Sequence, residues 1–177
     1  MGSQTPMLKQ YHRIKSRHQD CILFFRMGDF YEMFYDDAKK AASTLDLVLT
    51  ARGTQKSEKV PMCGFPYHAA ETYIPRLVKN GFKIAICEQV EDPAQAKGIV
   101  KRDMVRIITA GTFIDENSPA TRSIVSLVPQ GNHYGLAFVD PSSGMVRANT
   151  YAHRSHMLAL LTKINVVECI YPAERES

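Results

Sequence analysis

The sequence predicts an α/β protein built on a mixed sheet, followed by a smaller unit of strands and one helix. Over residues 5–112, apolar runs of strand length alternate with segments of helical spacing. Residues 113–123, FIDENSPATRS, have the Pro, Ser, Thr, Asn and acid content of a linker. Beyond them, three short extended segments follow one another before a single helical one. The expected organisation is a first domain over 1–112, a linker over 113–123 and a partial domain over 124–177. Apolar residues make up 45% of the chain, so a core forms without metal or disulfide staples.

A helix opens the fold. Thr5 is a good N-cap, Pro6 suits the first helical position, and Met7, Leu8, Tyr11 and Ile14 recur at helical spacing. Lys9, Arg13, Lys15 and Arg17 fill its other side, as a solvated face or as phosphate contacts. CILFFRM, residues 21–27, reads as a strand buried on both faces. Gly28-Asp29 marks a turn into a second extended segment, FYEMFY. DDAKKAASTL starts with acids that suit the positive end of a helix dipole. DLVLTAR, residues 46–52, reads as a strand, and 52–59 as a polar loop. HAAETYIPRLVKNG is helical with Gly81 as its stop, and Pro75 kinks or limits it. FKIAICEQV is a strand, residues 91–103 a basic-leaning loop, and MVRIITAGT a strand.

In the second unit, IVSLVP, YGLAFVDP and MVRANTY read as hairpin-linked strands, residues 154–164 as a helix and VVECIYP as a fourth strand. That order is how a ribonuclease-H-like domain begins. About 54 residues is short for a freestanding domain, so a chain cut within it is expected.

Cys21, Cys63, Cys87 and Cys169 stand singly with no CxxC spacing, and read as reduced core residues of a cytosolic protein. His153 and His156 lack the further ligands of a zinc site. No metal site is expected. No signal peptide or apolar run of membrane-spanning length is visible. Residues 1–112 hold 17 Lys/Arg against 12 Asp/Glu, and the remainder 5 against 6, which tilts the first domain toward a polyanionic partner.

GDFYEMF, residues 28–34, places an apolar ring two residues from a carboxylate directly after a turn. In a strand, Phe30 and Glu32 share one face and Tyr31 and Met33 the other. Buried together, a ring and an unpartnered ionised acid are a poor combination. Exposed together, they are a tool.

Four blocks, FFRMGDFYEMFYDDAKKAA, VPMCGFPYHA, AICEQVEDP and RIITAGT, resemble in order and spacing the N-terminal mismatch-recognition domain of the MutS family of bacterial DNA mismatch repair proteins. The resemblance covers residues 5–172, and its second part is similar to the family's ribonuclease-H-like connector domain. It implies that Phe30 enters the minor groove at a mismatch and stacks on a base, that Glu32 accepts a hydrogen bond from that base, and that the DNA is kinked there. Gly28 then permits the tight turn and approach to DNA, and Met27 flanks the wedge or joins the core. Arg52 matches a basic position of the family. Lys97, Lys101, Arg102 and Arg106 lie in or beside the basic loop and are candidate phosphate contacts. PMCGFPYH reads as structural support beneath the wedge, with Tyr67 and His68 packing or capping a helix.

Physical chemistry supports such a device. Separating a base step costs a few kcal/mol, least where pairing is already poor. Stacking is worth about 1–3 kcal/mol with little base preference. Mismatches also soften a duplex, so a kink discriminates without a base code. A carboxylate among phosphates weakens binding generally, and only a donor on a displaced base compensates it, which gives specificity by selective penalty. A base offering only an acceptor requires a protonated Glu32 and hence a raised pKa.

The resemblance further implies an ATPase that uses ATP and Mg²⁺ in a C-terminal part, a homodimer or higher oligomer working with MutL, and a cytoplasmic, nucleoid-associated protein. No GxxxxGK[ST] pattern occurs in the chain, which is therefore expected neither to hydrolyse ATP nor, as one small module, to bind DNA tightly. Two rival readings stand beside this one. A metal-dependent nuclease would use Asp29, Glu32, Asp36, Asp37 and the strand-ending Asp140. A protein-interaction module would offer the exposed ring to a partner protein.

Overall fold

A computed structural model describes residues 5–53, 59–114 and 122–173. The chain divides by its internal contacts into two units, Met1–Thr109 and Ala110–Ser177.

The first unit opens with α1 (Pro6–Lys15), capped by the Thr5 hydroxyl, which accepts from the Leu8 N–H. β1 (Cys21–Met27) and β2 (Phe30–Phe34) form a hairpin through Gly28 and Asp29. α2 (Tyr35–Leu45), β3 (Thr50–Arg52), β4 (Val60–Pro66), a 3₁₀ turn (Tyr67–Ala69), α3 (Ala70–Lys79), β5 (Lys83–Gln89) and β6 (Arg102–Ile108) complete it. The sheet order is β3-β4-β2-β1-β5-β6, with β1 and β5 parallel and the other pairs antiparallel.

Helices cover both faces of this sheet. Met7, Tyr11 and Ile14 of α1 pack on Leu23, Phe25, Phe34 and Cys87. On the other face Cys63 reaches the Ala38 carbonyl of α2, and Phe65 meets Tyr73 of α3 with ring centroids 4.5 Å apart. β1 is buried on both faces, as its unbroken apolar run predicts. Asp37 extends its expected helix-start role: it is buried, accepts from the Leu23 N–H at 3.0 Å and the Tyr11 hydroxyl at 3.3 Å, and pairs with Lys15 at 2.9 Å. It ties α1, β1 and α2 together. Lys15 is therefore a structural cation rather than part of a free basic face.

One expectation is corrected, and two are made more definite. The strand expected over 46–52 is confined to Thr50–Arg52, because Asp46 takes the left-handed conformation (φ 59°) that ends α2 and the Leu47 N–H bonds back to Ala42. Pro75 neither ends α3 nor shortens it; Arg76 anchors the helix by donating to the Thr44 and Leu45 carbonyls at the end of α2. The VPMCGFP segment is a strand, β4, between β3 and β2. The basic-leaning loop lies as expected between β5 and β6, whereas residues 54–58 and 115–121, within the expected loop and linker, fall outside the described residues.

In the second unit β7 (Ser123–Gln130), β8 (His133–Asp140) and β9 (Met145–Tyr151) form an antiparallel meander. α4 (Arg154–Leu161) then returns the chain to β10 (Val166–Ile170), which pairs parallel to β7. Val125, Leu136 and Met157 centre its core. Both sheets are mixed, as the sequence predicts for the first. Cys21, Cys63 and Cys87 are buried free thiols, pushed up to about 11, 11 and 12 chiefly by desolvation. Cys169, expected in the core, is exposed because it falls near the end of β10. No helix among the described residues is long and apolar enough to cross a membrane.

Candidate nucleic-acid interface

The β1–β2 hairpin builds the site. Gly28 has φ +58°, a left-handed conformation that glycine adopts without penalty, and a Cβ there would meet no atom within 4 Å. Gly28 is thus required by backbone conformation rather than by crowding. Phe30 follows the turn and is 46% exposed, whereas Tyr31 is 6% and Met33 0% exposed. Strand alternation therefore operates as expected. Tyr31 lies against Phe24 and Phe65, with ring centroids 5.6 and 6.0 Å away.

Glu32 occupies a notch made by β4. Its cross-strand partner is Gly64, where a Cβ would fall 2.8 Å from the Tyr31 carbonyl oxygen and 3.5 Å from the Glu32 Cγ. The absent side chain leaves the carboxylate its space. The acid has a partner that its own segment does not reveal: Arg52 of β3 approaches its Oε2 at 3.0 Å. Burial raises the Glu32 pKa above its ordinary value, while the charges of Arg52 and Arg102 pull it down. The seat thus shifts the balance toward the protonated form relative to a free glutamate, and that form can donate a hydrogen bond as well as accept one.

A second network fixes the hairpin. The Arg26 guanidinium lies 3.5 Å from the centroid of the Tyr67 ring, and its Nε donates to the Gly28 carbonyl at 2.5 Å. Its Nη1 lies 3.4 Å from Glu88, which also accepts from the Tyr31 hydroxyl. The Tyr67 N–H donates to the Asp29 carbonyl at 2.9 Å. The turn carrying Phe30 is held from β1, β5 and the segment after β4. Tyr67 packs here instead of capping a helix.

The other candidate contacts separate by position. Met27 is half-buried and packs against the α1-side core. Arg52, Lys97 and Lys101 are exposed. Arg102 is not a surface phosphate contact: it is 4% exposed, donates to the Arg26 and Val100 carbonyls and to the Gln10 side chain, and lies over the Phe25 ring. Its burial behind the site makes it a background charge beside Glu32. Arg106 is exposed, but it pairs with Ile86, the β5 neighbour of Phe24, so register puts it on the face opposite Glu32 and its partner Phe25. Sequence reading missed Arg26, Glu88 and Gly64. A glycine inside a strand was the available signal for Gly64, since it marks a close approach.

The carboxylates of the nuclease reading do not converge. Asp36 pairs with Lys39, and Asp37 is consumed by its hub. Asp140 accepts from the Ser142 N–H and from the Ser142 and Ser143 hydroxyls, which lower its pKa. Among the described residues no group of three His, Cys, Asp or Glu is placed to hold a metal.

Residues 5–117 match the family model of MutS domain I, and residues 122–177 that of MutS domain II. The chain belongs to the MutS family. It is 45% identical over 173 residues to the DNA mismatch repair protein MutS of Staphylococcus saprophyticus, covering 96% of this chain and 20% of the relative. It is similarly 45% identical over 179 residues to that of Staphylococcus haemolyticus and 46% over 173 residues to that of Staphylococcus epidermidis. These alignments cover 98% and 96% of this chain, and 20% of each relative. The chain therefore spans about a fifth of the length of these relatives.

Proposed function

We propose that the first unit recognises mispaired and unpaired bases in duplex DNA, as the opening step of DNA mismatch repair. Phe30 enters the minor groove and stacks on a base, and Glu32 hydrogen-bonds the displaced base. The observation that carries this reading is the half-exposed Phe30 at a braced turn, with Glu32 seated on the same face. Membership of the MutS family and the names of the relatives support it.

The physical account is a sum of small selective terms. Stacking on Phe30 returns about 1–3 kcal/mol, enough to offset opening where pairing is already weak but not in a sound duplex. Glu32 opposes phosphates, and Arg52 moderates that opposition. A protonated Glu32 serves bases that offer an acceptor, and an ionised one those that offer a donor. ATP, Mg²⁺, oligomer contacts and MutL belong, on this reading, to other parts of a longer protein.

Binding of a duplex with one mispair and of its fully paired counterpart, followed by fluorescence anisotropy in the full-length protein, tests the proposal. Phe30→Ala brings the affinity ratio toward one while the salt dependence stays as in wild type. Full discrimination by Phe30→Ala at matched salt defeats the wedge assignment and favours the protein-interaction reading. Glu32→Ala strengthens binding to the paired duplex and narrows the ratio; equal losses on both duplexes count against the selective penalty.

A further inference from the structure

Several basic side chains around the first unit's sheet are held by acids. Lys15 pairs with Asp37, Arg26 with Glu88, Arg52 with Glu32, Arg76 with Asp46 and Lys83 with Asp20. Arg13, Arg17 and Lys101 differ. Among the described residues, none of their charged groups has an ion pair or side-chain hydrogen bond. Yet the three line one cleft of about 360 Å³ between the end of α1 and the start of β6, together with His18, Asp103 and the apolar Ile14 and Met104.

Three cations around one concavity repel one another unless an anion joins them. Asp103 supplies a single carboxylate, and one of its oxygens accepts from the Met104 N–H at 2.9 Å. The negative end of the α1 dipole explains basic residues near that terminus, but not the arrival of Lys101 from another element. Arg13 lies in the last turn of α1 and Arg17 in the turn that follows it, and both line the cleft. Two guanidinium forks and an ammonium suit a phosphate, which accepts bidentate hydrogen bonds and a point charge together.

The cleft's location adds to its chemistry. α1 packs on the face of Phe25 and Phe34, the face that strand alternation gives to Phe30 and Glu32. β6 is separated from β2 by β1 and β5. Three strand spacings are about 14 Å, or about four nucleotide steps along a duplex.

We propose that the Arg13–Arg17–Lys101 cleft binds a phosphodiester of the nucleic-acid backbone flanking the Phe30 contact. The proposal rests on the DNA-binding reading above and adds an anchor that carries no sequence or mismatch information. The anchor holds the duplex in register while Phe30 tests it.

Salt titration of duplex binding by the full-length protein tests this. In R13Q/R17Q/K101Q, the slope of log affinity against log salt falls by about two to three, roughly one for each lost contact. Paired and mispaired duplexes weaken by the same factor, so their ratio is kept. Asp103→Asn strengthens both. K39Q/K40Q/R106Q removes equal charge elsewhere and changes the slope less. The proposal is overturned if R13Q/R17Q/K101Q leaves slope and affinity unchanged while melting as wild type, or if the control set lowers the slope equally. Phe30→Ala separates the two ideas, because it alters the ratio and leaves the slope. Loss of slope in the cleft variant with an unaltered ratio in Phe30→Ala would keep the anchor and remove the wedge.

Discussion

On β2, Tyr31 and Met33 stand on one face and Phe30 and Glu32 on the other, and different forces hold the two pairs. The Tyr31–Met33 face is packed between the sheet and the α2–α3 layer, and Met33 has no exposed surface. The Phe30–Glu32 face lies beyond the cover of α1, where a ring remains 46% exposed and an acid is met by an arginine. One face converts burial into stability. The other forgoes burial and keeps an apolar surface available for stacking. A rigid strand with one unused face is how a small domain presents a wedge without letting it collapse inward.

Met33→Ala gives the largest expected loss of stability, about 2–5 kcal/mol, because a fully enclosed side chain leaves a cavity. Phe30→Ala costs about 1 kcal/mol or less, since roughly half of its surface is already wet. Urea denaturation of both variants measures the contrast. Similar losses would mean that Phe30 is a core residue and that the faces do not differ as described. Gly64→Ala is next, at about 1–3 kcal/mol. Its added methyl meets the Tyr31 carbonyl oxygen and crowds the Glu32 stem, so it disturbs both faces at once. A crystal structure of that variant with an unmoved Glu32 would show that the notch is not what seats the acid.

The face assignments were legible in FYEMF because strand periodicity is local: two residues apart means the same side. The helix N-cap at Thr5 and the buried run of β1 were legible for the same reason. What escaped depends on partners distant in sequence. Arg52 reaches Glu32 only because β3 and β2 flank β4, a pairing that no local pattern reveals. Arg102 reads as a surface cation until Arg26, Gln10 and Phe25 are seen around it. β4 was obscured by Pro61, Gly64 and Pro66, residues usually depleted from strands, yet two of them sit opposite Phe30 and Glu32. The irregular residues mark where one strand must leave room for another's chemistry.

Arg26→Ala sharpens the comparison from the side of the turn. Its guanidinium lies on Tyr67 and also donates to Gly28, so both contacts disappear. The expected cost is about 1–2 kcal/mol in denaturation. Because Phe30 keeps its side chain but loses its brace, the mispaired-to-paired affinity ratio falls by less than in Phe30→Ala. Arg26→Lys restores charge without the planar fork and recovers only part of the ratio. Full recovery by Lys would assign the effect to charge rather than to the stacked brace.

The smallest expected effect comes from Glu32→Gln, and its sign is informative. Burial is the leading cause of the raised Glu32 pKa, with Arg52 and Arg102 opposing it. Between the ordinary value of 4.5 and the raised folded value, the native state binds more protons than the unfolded one. Stability contributed by this group is therefore present below pH 4.5 and is lost as pH rises through the folded pKa. Relative to Glu32→Gln, the wild type should be less stable at pH 7, because desolvation of the carboxylate outweighs the attraction of Arg52 and Arg102. The gap should close on acidification below 4.5, as measured by urea denaturation at a series of pH values. A wild type that gains on the Gln variant as pH rises would show that Arg52 outweighs desolvation. Glu32 would then behave as a fixed anion, and bases offering only an acceptor would have no protonated partner at this site.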